Sequence, residues 1–280
     1  MHVNTERLME IALDMAGLSE VPGDSAVHHA GRGIRRLLVG IDLRAPELAL
    51  ARSLRVDAVL THHPVGVATL NFHTVLQRHV DQMIAAGVPA EAARAAIDET
   101  AAARRVLDSM TNYDHDPSIA RLLDMPYLNI HTPLDEIGRR RLAAAAECMS
   151  PRDTVGDLVR RFVETFEEFR AAATRVEVLV GKETHRLGRV VVSHAAGTNG
   201  GYSVGKAYFE HGVDTLVYIH CRPDDARRLE AEFGETKALV VTGHIASDSV
   251  GINPYVDRLR DEGLDVTTAS GVLPDRRETR

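Results

Sequence analysis

The chain is 280 residues long with 44% hydrophobic and 26% charged side chains, which fits two domains or one large α/β unit at roughly 100–200 residues per domain. That mix excludes disorder, collagen-like repetition and low complexity, and a net charge of −7 without any basic block argues against a dedicated nucleic-acid binder. Two cysteines, Cys148 and Cys221, cannot build a disulfide framework, so a reducing, cytoplasmic setting is expected; the apolar runs are strand-sized, too short for a membrane span or a signal peptide.

Apolar residues at helical spacing (Leu8, Ile11, Ala12, Met15) predict a helix over 5–18, with Thr5 placed to cap it. A Gly/Pro/Ser stretch over 22–33 reads as loop. The run 36–41 is continuously apolar, the mark of a strand covered on both faces. A helix from Pro46 to 54 and a second buried strand over 56–60 follow, the strand ending at Thr61-His-His-Pro64. Residues 72–124 read as helix, with Val75, Leu76, His79, Val80, Met83 and Ile84 in one stripe and breaks at Gly87 and Pro89. A short strand at 127–130 again ends in histidine, and a helix runs through 143–146. Beyond Ser150-Pro-Arg-Asp153 come a helix over 155–169 and strands over 176–180, 190–193, 215–219 and 238–241, with helices between the last three. A final amphipathic helix carries Ile252, Tyr255, Val256 and Leu259 and leads to a strand at 264–268. This alternation predicts a mostly parallel α/β fold.

Six Tyr, six Phe and no Trp leave alanine and aliphatic residues to build the core, whereas 14 histidines are an unusual load. Their positions are informative. His62, His63, His131, His194, His220 and His244 each fall just past a predicted strand, and the carboxyl ends of parallel strands form the functional edge of an open sheet. Asp135 and Asp248 follow His131 and His244 by four residues, which stacks imidazole and carboxylate on one face of a helix. Mixed His/Asp donors suit Zn, Mn, Fe or Co, whereas calcium takes oxygen alone. Plainer readings exist: one of the adjacent histidines could bond a backbone carbonyl, and Thr132 could cap a helix. The same dipeptide at His28 and His29, in the loop before a strand, needs no special role. Cys148 reads as core, and Cys221, next to His220, as a small buried residue by default, with a ligand or an oxidisable bystander as the alternatives. Gly197, Thr198, Asn199, Gly200 and Gly201 join a strand to a helix whose amides could receive an anion from a substrate, although a tight turn also explains them.

Asp57-Ala-Val-Leu-Thr-His-His-Pro64, His131-Thr-Pro-Leu-Asp135 and Gly243-His-Ile-Ala-Ser-Asp248 resemble, in order and placement, three motifs of the NIF-three-like family, whose members are also described as GTP cyclohydrolase I type 2 homologues. The stretch 190–201 resembles the family's Gly-rich segment. The resemblance implies a two-lobed α/β fold of mixed and parallel sheets flanked by helices, two divalent metal ions in the interlobe cleft, and a hexameric homo-oligomer. It implies that His62 and His244 hold one metal, His63 and Asp135 the other, and that Asp248 bridges. This chain departs from the pattern in four places. Asp248 stands where Glu is usual, Pro133 replaces a common Asn, the helical segment 65–126 is enlarged, and Tyr218-Ile-His-Cys221 replaces a stretch usually written with Gly and an acid.

The expected organisation is one metal-binding lobe from 1–147 plus 238–280 and an inserted lobe over 148–237. The expected function is that of a metal-dependent hydrolase of a small molecule such as a nucleotide, with a metal-bridged water as nucleophile; the resemblance implies a GTP cyclohydrolase-like reaction as its named form. His131 and His220 are the candidate proton carriers, or the groups that orient a ligand. A non-enzymatic metal-binding or regulatory assembly protein and a dinuclear nucleotide phosphoesterase are the alternatives.

Overall fold

The computed structural model describes residues 3–274; the extremities of the first expected lobe, 1–2 and 275–280, lie outside the described residues. Nine strands occur among those residues. In chain order they are β1 (Ala26–His29), β2 (Arg36–Gly40), β3 (Ala58–Thr61), β4 (Tyr127–Asn129), β5 (Glu177–Val180), β6 (Val190–Val192), β7 (Thr215–Tyr218), β8 (Ala238–Val241) and β9 (Asp265–Ala269). With the helices between them they form a mixed α/β protein. The chain divides into two compact units, one within Met1–Val75, Ala103–Ile137 and Gly251–Arg280, the other within Leu76–Ala102 and Gly138–Val250.

The first unit holds a five-stranded sheet in the order β1-β4-β3-β2-β9, parallel except for β1, which runs antiparallel to β4. Its central strands β2 (after Arg36) and β3 are buried runs because both faces are covered there, and the pleat sorts their residues. Leu37, Val39, Leu60 and Leu128 pack with Leu8 and Ile11 of the helix Thr5–Ala16 and with Tyr255 and Leu259 of the helix His244–Asp261. On the other side, Leu38, Val59 and Tyr127 pack with Leu48 and Ala51 of the helix Ala45–Ser53 and Ala120 of the helix His115–Leu123.

The second unit holds a four-stranded sheet in the order β5-β8-β7-β6, parallel except for β5. Val217 and Val240 meet Leu158 and Phe162 of the helix Val155–Thr165 in its core. Phe162, Phe166 and Phe169 form a cluster there, with Phe166 edge-on to Phe169 at 5.7 Å.

Three sequence expectations are corrected. The N-terminal helix is capped by Asn4, whose side chain accepts from Arg7 N at 2.8 Å, while Thr5 Oγ1 instead accepts from Gly31 N. The segment expected as loop contains β1, a half-buried strand specified by pairing with β4 rather than by an apolar run. The helix expected over 155–169 breaks at Phe166, whose extended backbone separates Val155–Thr165 from Glu167–Ala171. The segment after Pro64 is helical as expected, in the pieces Phe72–Val75, Gln77–Ala85, Ala90–Asp108 and His115–Leu123. Among the described residues no helix is long and apolar enough to cross a membrane.

Candidate metal centre

In the first unit, the carboxyl ends of β3 and β4 lie side by side, with Thr61 paired to Asn129. The residues just beyond are His62, His63 and His131, and the helix Thr132–Glu147 begins at once, turning Asp135 back toward them. The His62 and His131 ring centroids are 4.8 Å apart, and those of His62 and His63 are 5.3 Å apart. One nitrogen from each of the three rings lies within 4.8 Å of the others. The i,i+4 spacing read from sequence brings His131 Nε2 to 3.6 Å from Asp135 Oδ2.

Second partners fix how these rings present themselves. His62 is fully buried, and its Nδ1 donates to Ile130 O at 3.0 Å. That leaves the lone pair on Nε2, which makes no hydrogen bond and lies 3.2 Å from Asp135 Oδ1. A lone pair facing a carboxylate oxygen is relieved only by a proton or a cation between them. His63 Nδ1 donates to Asp42 Oδ1 at 2.9 Å, and His131 Nδ1 to the buried Asp24 Oδ2 at 2.7 Å. Histidines that ligate metals are ordinarily held in this way through the other ring nitrogen. Burial would depress the pKa of His131, but Asp135 and Asp24 outweigh it and raise it to about 9. The donor set therefore fits a divalent transition metal.

In the second unit, His194, His220 and His244 lie beyond β6, β7 and β8. The expected single edge is thus two edges, one on each sheet, because an apolar run identifies a strand without saying which sheet receives it. His244 opens the helix His244–Asp261, and its Nε2 is 3.4 Å from the buried Asp248 Oδ2. The His220 and His244 rings meet edge to face at 4.7 Å. Asn199 Nδ2 sits 2.6 Å from His220 Nδ1, while Asn199 Oδ1 accepts from Ile219 N.

In the Gly-rich loop, Gly197 and Gly200 have φ of 77° and 76°, and Gly201 opens the helix Gly201–Glu210. Its polar side chains face inward: Thr198 Oγ1 accepts from Gly200 N and lies 3.3 Å from His79 Nε2. Cys148, expected in the core, is exposed just past the helix Thr132–Glu147. Cys221 is half-buried, and burial, aided by Asp225, pushes its thiol up to about 11, away from thiolate chemistry. Two residues of the site escaped the sequence reading, Asp24 and Asp42; no local spacing links either to its histidine.

An α/β protein carrying clustered His and Asp donors at strand ends, able to hold a divalent metal, is the class so defined. A NIF3 superfamily protein from Sphaerobacter thermophilus is similar over 96% of this chain and 98% of its own, with 48% identity and a TM-score of 0.92. The chain belongs to the NIF3 superfamily, as its motifs indicate. Reduced HcgD from Methanocaldococcus jannaschii (14% identity, TM-score 0.56, 96% and 98% covered) and a Bacillus cereus protein related to NIF3 (11%, 0.55, 98% and 98%) share the fold. No family model and no curated protein sequence matches the chain.

Proposed function

We propose that the chain binds two divalent metal ions and is a metal-dependent hydrolase acting on a small molecule, with a GTP cyclohydrolase-like reaction as the form to test first. By the motif resemblance, His62, His63, Asp135, His244 and Asp248 would hold these ions, with Asp248 taking the bridging place. The observation that carries the reading is His62: its Nδ1–H is given to Ile130 O, and its buried Nε2 makes no hydrogen bond yet lies 3.2 Å from Asp135 Oδ1, a contact that a bound cation would relieve. Such ions, when bound, supply Lewis acidity and bring a shared water's pKa towards neutrality.

The chain's own residues prepare for that chemistry. Ile130 O and Asp42 fix which nitrogen His62 and His63 present. Asn199 grips the exposed His220 ring by its edge, which suits His220 to carry a proton to or from a substrate.

Elemental analysis of the purified chain is expected to find close to two divalent ions, and His62→Ala with His63→Ala to remove them while far-UV circular dichroism is retained. Metal-loaded protein is expected to open the imidazole ring of GTP and to lose that activity with chelator or Asp248→Ala. A chain that neither carries nor reloads divalent metal refutes the metal centre. Bound metal with no turnover of nucleotides or phosphoesters refutes the hydrolase and leaves a metal-binding protein.

A further inference from the structure

The geometry points to His131 as a further metal ligand through Nε2, with Asp24 as the residue that positions it; this inference rests on the metal-centre reading above. Asp24 lies in the segment before β1, more than one hundred residues from its partner, and is completely buried. A buried carboxylate is costly unless it is paired and hydrogen-bonded. Asp24 Oδ2 accepts from His131 Nδ1 at 2.7 Å and from Thr132 Oγ1 at 2.7 Å, and its Oδ1 lies 3.3 Å from Ser25 Oγ. Its main chain is anchored too, since Asn129 Nδ2 donates to Asp24 O at 2.7 Å.

The His131 ring is held on several sides. Ser25 Oγ accepts from its backbone N–H, Phe72 packs against it at 6.0 Å between centroids, and Asp24 takes Nδ1. Nε2 then lies 3.6 Å from Asp135 Oδ2, and His131 groups with His62 and His63. One nitrogen from each of His62, His63 and His131 lies within 4.8 Å of the others, a grouping that could hold a metal ion. An Asp–His pair with the opposite nitrogen aimed at a donor cluster is the arrangement that fixes a ligand's tautomer and raises its basicity. A carboxylate placed only to receive the start of the helix Thr132–Glu147 would not need His131 Nδ1.

The test titrates Co²⁺ alone into the metal-free full-length chain, reading affinity and the visible d–d spectrum. His131→Ala is expected to weaken binding at least tenfold and to change the spectrum. Asp24→Asn, which keeps the shape and removes the charge, is expected to weaken it about 10–100-fold. Adding Asp24→Asn to His131→Ala should cost nothing more, because Asp24 acts through His131. Wild-type affinity and spectrum in His131→Ala overturn the ligand assignment, and equal effects of Asp24→Asn with and without His131 overturn the positioning role. Wild-type protein that binds no Co²⁺ refutes instead the metal-centre reading itself. Should Asp24→Asn not fold, His131→Gln, which retains a donor for Asp24, decides the ligand assignment through the same spectrum.

Discussion

His79 gives the sharpest stability prediction. It sits on the helix Gln77–Ala85 with no exposed surface; Nε2 meets Thr198 Oγ1 at 3.3 Å, and Nδ1 has no hydrogen-bond partner among the described residues. Burial lowers its pKa from 6.5 to about 4; the Thr198 contact opposes this slightly, and His194 adds to it. Between those values the unfolded chain binds a proton that the folded chain refuses. Stability from this group is therefore complete above pH 6.5, declines as pH falls, and is fully lost by about pH 4. The interval from 6.5 to about 4 is worth about 3 kcal/mol. Folded domains are typically stable by about 5–15 kcal/mol, so the loss is large.

Urea denaturation of metal-free wild type and His79→Leu, followed by far-UV circular dichroism because the chain has no Trp, isolates the effect. Leucine removes the titration and forfeits the Thr198 contact at every pH alike. The stability difference between the two proteins should shift in favour of His79→Leu by about 3 kcal/mol from pH 7 to pH 4. Parallel stability curves, or an imidazole NMR titration of His79 with a midpoint near 6.5, refute the reasoning.

Thr154→Ala removes a capping box in which Thr154 Oγ1 accepts from Asp157 N and Asp157 Oδ2 accepts from Thr154 N; a cost of about 1 kcal/mol and a lower Tm are expected. Tyr255→Phe strips the hydroxyl that donates to Leu8 O at 2.9 Å in the core, and denaturant titration should show a loss of about 1–3 kcal/mol with unchanged secondary structure. Gly66→Ala should cost more than Gly212→Ala in the same measurement. Both glycines have positive φ, but a Cβ at Gly66 would stand 2.5 Å from His28 Nδ1, whereas one at Gly212 meets nothing within 4 Å. Equal costs would mean that His28 yields freely.

The strands that could be read from the sequence are those whose physics is local. The runs 36–41 and 238–241 are apolar because both faces of their sheets are covered, and they match β2 and β8 within one residue. β1 was invisible for the complementary reason: its residues are all half-buried, its histidines bond Asn129 and Asp124, and its register comes from β4, about a hundred residues away. The sorting of strands into two sheets was likewise hidden, since Val190–Val192 and Arg36–Gly40 carry the same kind of pattern.

The same distinction runs through the site. His62, His63, His131 and Asp135 were legible because strand ends and an i,i+4 spacing are short-range features, and the structure brings these four together. Asp24 and Asp42 were not, because a residue that orients a ligand is chosen by the fold and can come from any element that passes nearby. Sequence thus marks the atoms that would touch a metal more readily than the carboxylates that decide which nitrogen they offer. If Asp24 sets the basicity and direction of His131 Nε2, substitution there should reach the metal spectrum without altering any residue that a motif would single out.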